Sequence, residues 1–238
     1  MGCKLSPRLK RIVFLFFCTI ENRTGLTMFL FITLALLTPL SAQSMAAVQH
    51  FSVKGGDTVL AATTRGIYIS PDAGVSFSAF ALDTLDITAI LVDSSGYILA
   101  STYSNHGVLK STDNGNTWFT SGLANQYAVN HLIKAGNGSI LAASHEDFIW
   151  RSTDKGVSWF KVSTLNIANR VYQFTRKPDG TVLSAHLGGV SHSMNAGISW
   201  EFLPGSQGQT FCVSASGSYI YAGKTAAQGL FRTSDNGQ

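Results

Sequence analysis

The sequence predicts an all-β fold, a β-propeller of four-stranded antiparallel blades with a repeat of about 41 residues, and two observations carry this prediction. The first is an eight-residue motif that recurs at fixed spacing, with its acidic or amide position at residues 72, 113, 154, 195 and 235. The second is the pattern between copies, where short alternating apolar runs are separated by turn signals and a helical period is absent. Four strands in a repeat of roughly 40 to 45 residues are typical of propeller blades.

Each copy of the motif reads Ser-x-Asp/Asn-x-Gly-x-Ser/Thr-aromatic, with Thr as the first residue of the fifth copy. Asp or Asn followed by Gly two residues later is typical of a tight turn. The short side chain accepts hydrogen bonds from backbone N–H groups, while Gly adopts a positive φ. The aromatic residue is predicted to begin a strand and to pack its ring between neighbouring blades. The residues predicted to have this structural role are Asp72, Gly74, Asp113, Gly115, Trp118, Asp154, Gly156, Trp159, Asn195, Gly197, Trp200, Asp235 and Gly237.

The fourth copy has Asn195 where the other copies have Asp. An amide keeps the acceptor oxygen but loses the charge and the capacity for proton transfer. This substitution therefore favours a structural hydrogen-bonding role for the position over an acid–base role.

The motif resembles the Asp-box, also called the BNR repeat. Proteins with this repeat include sialidases, xyloglucan-hydrolysing glucanases, sortilin-type receptors and a propeller-type photosystem II assembly factor. The resemblance covers about residues 48–238 and implies the propeller fold without implying one activity. It also implies that the motif lies on the hairpin between the two outer strands of a blade. In the enzymes of this group that hairpin is remote from the active site, so no motif residue is expected to be catalytic.

Residues 1–47 are predicted to be a leader that contains a secretory signal peptide. Its apolar core is residues 28–40, and small residues near Ala42 and Ala46 suit cleavage after either one. The basic residues lie far upstream of this core, so the true start is either Met1, with a long leader, or Met28. Both alternatives export the protein to the periplasm, cell surface or medium, with no stable transmembrane span after cleavage. The first six residues also fit an N-myristoylation pattern, which the downstream secretory core contradicts.

The charge of the chain argues against a nucleic-acid partner. The net charge is +4, but residues 1–42 contain five basic side chains and one acidic side chain. The remainder has twelve of each sign, which leaves no excess of basic residues for phosphate binding. Of the three cysteines only Cys212 lies outside the leader, so a mature chain forms no internal disulfide.

The propeller region, residues 48–238, accounts for about five blades, the last one incomplete, because the sequence stops inside the fifth motif. In the third blade the pattern predicts strands at 129–133, 139–143 and 148–151 and a fourth that begins at Trp159. An unfinished blade exposes backbone edges. The chain is therefore expected to be a fragment, or to need a partner chain or self-association to close the propeller.

Candidate ligand-binding residues are predicted on the face opposite the motif, where the loops between second and third strands meet the connections between blades. These candidates are Arg65, His106, His145, His186 and Lys224. The three histidines recur at similar blade positions, but descent of the repeats explains this without a metal, and no metal site is predicted. No phosphate-binding glycine loop or Ser/His/Asp triad is recognisable, and no cofactor is predicted.

Glycoside hydrolysis requires two carboxyl groups across the scissile bond. The adjacent pair Glu146 and Asp147 is the catalytic candidate on the predicted functional face. The arginine pattern and the Arg-Ile-Pro stretch of sialidases are absent. The sequence thus predicts an exported binding or scaffold module for a glycan or protein partner. The alternative is a sialidase-like or xyloglucanase-like hydrolase with catalytic acids partly outside this chain. A third interpretation is an assembly factor like the photosystem protein, against which the neutral charge of the mature chain counts.

Overall fold

The computed structural model describes residues 19–20, 28–29, 46–123, 128–146, 148–162, 170–225 and 229–234. All regular structure in these residues is β, which confirms the predicted fold class. In the leader, β1 (Thr19–Ile20) and β2 (Met28–Phe29) form a short antiparallel pair, whereas the rest of the predicted signal core and Ala42 lie outside the described residues. Among the described residues there is no helix with the length and hydropathy of a membrane span.

In the described part of the chain five antiparallel sheets follow β2, and within each sheet the strands pair in chain order. The described strands are, in blade one, β3 (Val48–Gly55), β4 (Thr58–Thr63), β5 (Gly66–Ser70) and β6 (Ser78–Ala81); in blade two, β7 (Ile87–Val92), β8 (Ile98–Thr102), β9 (Val108–Ser111) and β10 (Phe119–Thr120); in blade three, β11 (Val129–Lys134), β12 (Ile140–Ser144), β13 (Ile149–Ser152) and β14 (Phe160–Val162); in blade four, β15 (Val171–Arg176), β16 (Val182–His186), β17 (Gly189–Ser193) and β18 (Glu201–Phe202); and in blade five, β19 (Thr210–Ser216), β20 (Tyr219–Lys224) and β21 (Leu230–Thr233).

The strand boundaries in blade three agree with the predicted ones to within one residue for the first three strands. The prediction that the motif aromatic begins the fourth strand is wrong, because that strand starts one residue later, at Phe160 in blade three and Glu201 in blade four. The physical reason is that the indole ring turns into the interface between blades, so its residue closes the motif loop before strand pairing begins.

The blades pack face to face through apolar clusters, and the first strands of successive blades are neighbours. In each of the first four blades the second strand places one leucine in the interface with the next blade, and all four are fully buried: Leu60, Leu99, Leu141 and Leu183. Complete burial of such a side chain contributes roughly 1.5–3 kcal/mol. These interfaces therefore hold the blades in chain order.

The meander divides the loops between two faces of the molecule. The loop face contains the loops between second and third strands together with the connections between blades, whereas the motif face contains the first hairpins and the eight-residue motif. On the loop face the same backbone bond recurs in all five blades: the residue after the second strand donates its N–H to the carbonyl of the residue before the first strand. The donor–acceptor distances are 2.8–3.2 Å, and the pairs are Thr64–Ala47, Tyr103–Asp86, His145–Ala128, Leu187–Arg170 and Thr225–Gln209.

Every first strand also contains a β-bulge near its start, at the end that meets the loop face. The bulged residues are Gln49, Thr88, Asn130, Tyr172 and Phe211. A bulge leaves one residue outside the ladder and re-aims its side chain. The repeated bulge therefore changes the direction of one side chain in every blade, at the end of the first strand that meets the loop face.

Candidate functional site

The motif carboxylates are hydrogen-bonded within their own turns. In the first copy, Oδ1 of Asp72 accepts from the Ser70 hydroxyl at 2.7 Å and from the Ser76 backbone N–H at 2.9 Å, while Oδ2 accepts from the Ser76 hydroxyl at 2.5 Å. Ser70 Oγ in turn accepts the N–H of Gly74 at 2.8 Å. The same set of bonds recurs around Asp113 and Asp154.

These donors lower the pKa of Asp72, Asp113 and Asp154 from 3.8 to about 2, and the largest cause is the hydroxyl of the Ser or Thr four residues further on. A carboxyl group with so low a pKa stays ionised at ordinary pH and cannot act as a general acid. The geometry of the motif therefore accounts for these side chains without catalysis.

Asn195 keeps most of this arrangement without a charge. Its Oδ1 accepts from the Ser199 backbone N–H at 2.9 Å and from the Ser193 hydroxyl at 3.0 Å. Its Nδ2 donates to Ser199 Oγ at 2.7 Å, which reverses the direction of one bond relative to the Asp copies. An amide at this position thus supports the same turn.

The turn requires positive φ at two consecutive positions, and the sequence pattern indicated only the second. In the four motif copies that the structure describes, the residue before the glycine has φ between 56° and 69°, and the glycine itself has φ between 81° and 97°. Positive φ at both central residues is typical of a type I′ turn. The residues in the first of these positions are Ala73, Asn114, Lys155 and Ala196.

The motif tryptophans pack between blades. Trp118 contacts the cluster between blades one and two, Trp159 the cluster between two and three, and Trp200 the cluster between three and four. The indole N–H of Trp159 donates to Ser121 Oγ at 2.7 Å, and this hydroxyl donates to the carbonyl of Gly156 at 2.5 Å. The motif of one blade is thereby connected to the outer strand region of the preceding blade.

Four of the sequence-predicted ligand residues lie at the loop face, namely Arg65, His106, His145 and Lys224, and each of the three histidines has separate hydrogen-bond partners. Exposed His106 shares a hydrogen bond of 2.7 Å with Ser104 Oγ, and His145 Nε2 accepts from the Arg170 guanidinium. Among the described residues no three His, Cys, Asp or Glu side chains are placed to hold a metal ion.

His186 is a core histidine in the structure and not a loop residue. It is fully buried at the end of β16, where Nδ1 accepts the N–H of Gly188 at 3.1 Å and Nε2 lies 3.0 Å from Ser191 Oγ. Burial lowers its pKa from 6.5 to about 4. Arg65 is exposed in the loop after β4. Lys224 donates to the carbonyl of Gln207 at 2.7 Å, and its Nζ lies 5.1 Å from the centroid of the Phe231 ring.

The predicted carboxylate pair is described only in part. Glu146 is exposed in the turn after β12, whereas Asp147 lies outside the described residues. On the same face Asp86 accepts a hydrogen bond from the side-chain amide of Gln49 in the first inner strand. Asp235 and Gly237 of the fifth motif copy also lie outside the described residues.

Two clusters on the loop face bring together side chains from different blades. In the first, the ring of Tyr103 in blade two lies 5.5 Å from the ring of His145 in blade three at an interplanar angle of 87°, and Arg170 at the start of blade four bonds to that imidazole. Tyr103 is 53% exposed. This arrangement presents an aromatic ring beside a guanidinium group.

The second cluster joins blades four and five through two bulged residues. The rings of Tyr172 and Phe211 lie 4.9 Å apart at 56°, and the side-chain amide of Gln209 donates to the Tyr172 hydroxyl at 3.1 Å. Phe211 is 47% exposed. Sequence analysis missed both rings, because a bulge interrupts the alternation from which the direction of a strand side chain is inferred.

A polar cleft of about 220 Å³ lies on the motif face between blades two and three. Its lining includes Asp93, Tyr97, Lys134 and Lys155. Burial alone would raise the pKa of Asp93, but the ion pair with Lys134 and the hydrogen bonds from Ser95 hold it well below the ordinary value. Burial, followed by the negative charge of Asp93, raises the pKa of Tyr97 to about 12. The carboxylate and the Lys134 ammonium thus neutralise each other in the cleft.

No protein-family model matches this chain. No curated protein sequence matches it. Among solved structures, the chain is similar to an ancestral GH74 enzyme, with a TM-score of 0.62 and 22% identity over 74% of this chain and 27% of that chain. It is also similar to YCF48 in complex with a D1 peptide, with a TM-score of 0.60 and 14% identity over 82% of this chain and 66% of that chain.

A third similar structure is the extracellular domain of BT4673 from B. thetaiotaomicron, with a TM-score of 0.63 and 13% identity over 81% of this chain and 28% of that chain. The chain therefore spans between about a quarter and two thirds of the length of these proteins. At such identities the similarity establishes the fold alone. The chain is a β-propeller module with solved β-propeller proteins as its structural neighbours.

Proposed function

We propose that residues 48–238 are an exported binding module of the Asp-box group, preceded by a secretory leader in residues 1–47, and that its loop face recognises a glycan or protein partner. The motif residues are structural in this proposal, and the ligand contacts are made by side chains from several blades. No cofactor or metal ion takes part.

One observation carries the proposal: large aromatic rings are exposed beside hydrogen-bonding groups on the face that the motif does not occupy. Tyr103 is next to His145 and Arg170, and Phe211 is next to Tyr172. Exposed aromatic and arginine side chains with nearby polar partners are the groups that most often dominate binding energy at interfaces. A sugar ring or a peptide side chain can stack on such rings while its polar groups bond to the neighbouring side chains.

The structural neighbours agree with a binding role for a propeller of this type. YCF48 is bound to a D1 peptide, and the BT4673 propeller is an extracellular domain. These properties belong to those proteins, and they support the proposal only through the shared fold.

Binding to immobilised polymeric glycans and to peptide libraries tests the proposal. Tyr103→Ala and Phe211→Ala are each expected to weaken the ligand affinity at least about tenfold, as hot-spot truncations do. Phe160→Ala is the matched control, since Phe160 is 62% exposed but lies on the outer strand β14, away from the loop face. Wild-type affinity in both loop-face variants, or an equal loss in the control, contradicts the assignment of this face.

The second candidate function is glycoside hydrolysis, and exposed Glu146 on the loop face is the observation that favours it. Hydrolases of this kind place two carboxyl groups roughly 5–9.5 Å apart. The second acid would be Asp147 or a residue outside this chain. Release of reducing sugar that disappears in Glu146→Gln supports the hydrolase, whereas binding of the same polymer without any release supports the binding module.

A further inference from the structure

Three inner strands share one kind of side-chain hydrogen bond to the next blade. In each case the residue that follows the bulge accepts a backbone N–H from the adjacent inner strand. His50 Nδ1 accepts from Ile90 at 3.4 Å, and His131 Nδ1 accepts from Phe174 at 3.4 Å. In blade four the same position is a glutamine, Gln173, whose Oε1 accepts from Val213 at 2.9 Å.

The two histidines also contact each other across blade two. Their ring centroids are 5.0 Å apart, and the rings are nearly perpendicular, at 84°. The equivalent residue of the strand between them is Ala89, which is fully buried. Because alanine is small, two imidazole rings from blades one and three can meet at this position. The pair thus couples the junction between blades one and two to the junction between blades three and four.

The surroundings of the pair disfavour a positive charge. Burial lowers the pKa of His50 to about 4, and burial together with the proximity of His50 lowers the pKa of His131 well below 6.5. β7, which lies between the two histidine strands, contains no charged residue.

The charged residues on the neighbouring inner strands are engaged elsewhere. Lys54 lies over the ring of Phe80, Lys134 pairs with Asp93, and Arg176 bonds to the carbonyl of Lys134. Among the described residues, the titratable ring in contact with each imidazole is the other imidazole.

We propose that His50 and His131 form an acid-sensitive latch that holds the inner strands together when both are neutral and releases them when either is protonated. A proton from solvent on Nδ1 turns the hydrogen-bond acceptor into a donor, which then faces the N–H of Ile90 or Phe174. A second proton places two like charges in adjacent buried rings. Acid therefore opens the two junctions that the histidines span.

The latch regulates the loop face because a bulged residue directly precedes each of the two histidines in sequence. Gln49 precedes His50, and Asn130 precedes His131 and bonds through Nδ2 to the carbonyl of Val171 at 3.0 Å. Opening of the junctions displaces these side chains from the loop face. This consequence rests on the proposed function of that face, so ligand affinity is expected to fall in acid.

Hydrogen exchange of individual amides tests the latch without any ligand. The protection factors of the Ile90 and Phe174 amides are expected to fall about tenfold per pH unit for each histidine involved as the pH falls below about 6.5. The Val213 amide is the control within the same molecule, since its acceptor Gln173 does not titrate. His186 adds to the acid sensitivity of global unfolding, which is why local amides are the readout.

The double variant His50→Gln and His131→Gln copies the natural glutamine of blade four, and it should keep both acceptors while the pH dependence of the two amides disappears. A wild-type protein whose Ile90 and Phe174 protection follows that of Val213 throughout this range overturns the latch, and so does a double variant with the wild-type pH dependence. If the double variant does not fold, the comparison of amides within the wild-type protein decides alone. Absence of ligand binding at neutral pH contradicts the proposed function and leaves the latch intact.

Discussion

Substitution of Gly197 by alanine tests how tightly the motif of one blade packs on the preceding blade. Gly197 has φ of +83°, and a Cβ built on it lies 2.5 Å and 2.8 Å from the two methyl carbons of Leu141 and 3.2 Å from its Cγ. Leu141 is fully buried in the interface between blades three and four. The new methyl group therefore has no space unless the leucine or the motif loop moves.

The magnitude follows from two separate costs. A left-handed backbone at a residue with a Cβ costs about 1–2 kcal/mol, and overpacking of a filled core costs about 1–3 kcal/mol more. Gly138 is the matched control, because its φ is +86° and nothing lies within 4 Å of its Cβ position. Gly156 is intermediate, with both methyl carbons of Leu99 at 3.2 Å. The expected order of destabilisation is therefore Gly138→Ala, then Gly156→Ala, then Gly197→Ala.

Chemical denaturation of the three variants measures these losses as changes in the free energy of unfolding. Gly197→Ala is expected to lose about 1–3 kcal/mol more than Gly138→Ala. A double-mutant cycle with Leu141→Ala then isolates the contact, since removal of the leucine methyl groups should cost less in the Gly197→Ala background than in the wild type. Equal losses in all three glycine variants, with no coupling to Leu141, would refute the packing argument.

Three further predictions concern the motif. Asp113→Asn should have a denaturation midpoint near that of the wild type, because Asn195 shows that an amide supports the turn. Asp113→Ala should have a clearly lower midpoint, because it removes the acceptor oxygen. Equal midpoints for the two variants would contradict this prediction. The motif aspartates have a pKa of about 2 in the folded protein and 3.8 in the unfolded chain, so their contribution to stability is present above about pH 3.8 and is lost as the pH falls toward 2. Replacement of Asp72, Asp113 and Asp154 by Asn should therefore reduce the slope of the free energy of unfolding with pH between about pH 3.8 and 2. An unchanged slope would rule this contribution out. Ser121→Ala leaves the Trp159 indole N–H and the Gly156 carbonyl without this partner and should cost about 1–3 kcal/mol in thermal or chemical unfolding, whereas a neutral result would show that the two groups find other partners.

The fold was predictable from the sequence because every blade repeats the same turn-forming residues and the same short apolar runs. The spacing of Asp72, Asp113, Asp154 and Asn195 and the alternating apolar runs between them specify a four-stranded unit, and the observed strands of blade three follow that pattern to within one residue. The predicted start of the outer strand was wrong by one residue, because the direction of the Trp159 ring depends on Ser121, which lies in another blade.

The sequence predicted on which face of the propeller the candidate site lies, but not which side chains meet there. The loops that contain Tyr103, His145 and Arg170 follow from the strand order, but their contact with one another depends on how far each blade is rotated from the next. The positions of Tyr172 and Phe211 could not be predicted from the sequence. A bulge changes the face of the strand on which a residue lies, and the residue pattern does not show where a bulge occurs.

The sequence alone thus determined the repeat, the turn at every motif and the order of the strands, because these depend on residues within about forty positions of one another. The tertiary structure decided that His186 is a core residue, that His50 meets His131 across Ala89, and that rings from different blades meet on the loop face. These contacts join separate repeats, and the distance between two repeats is set by the packing of the apolar interfaces between them and not by any local pattern of residues.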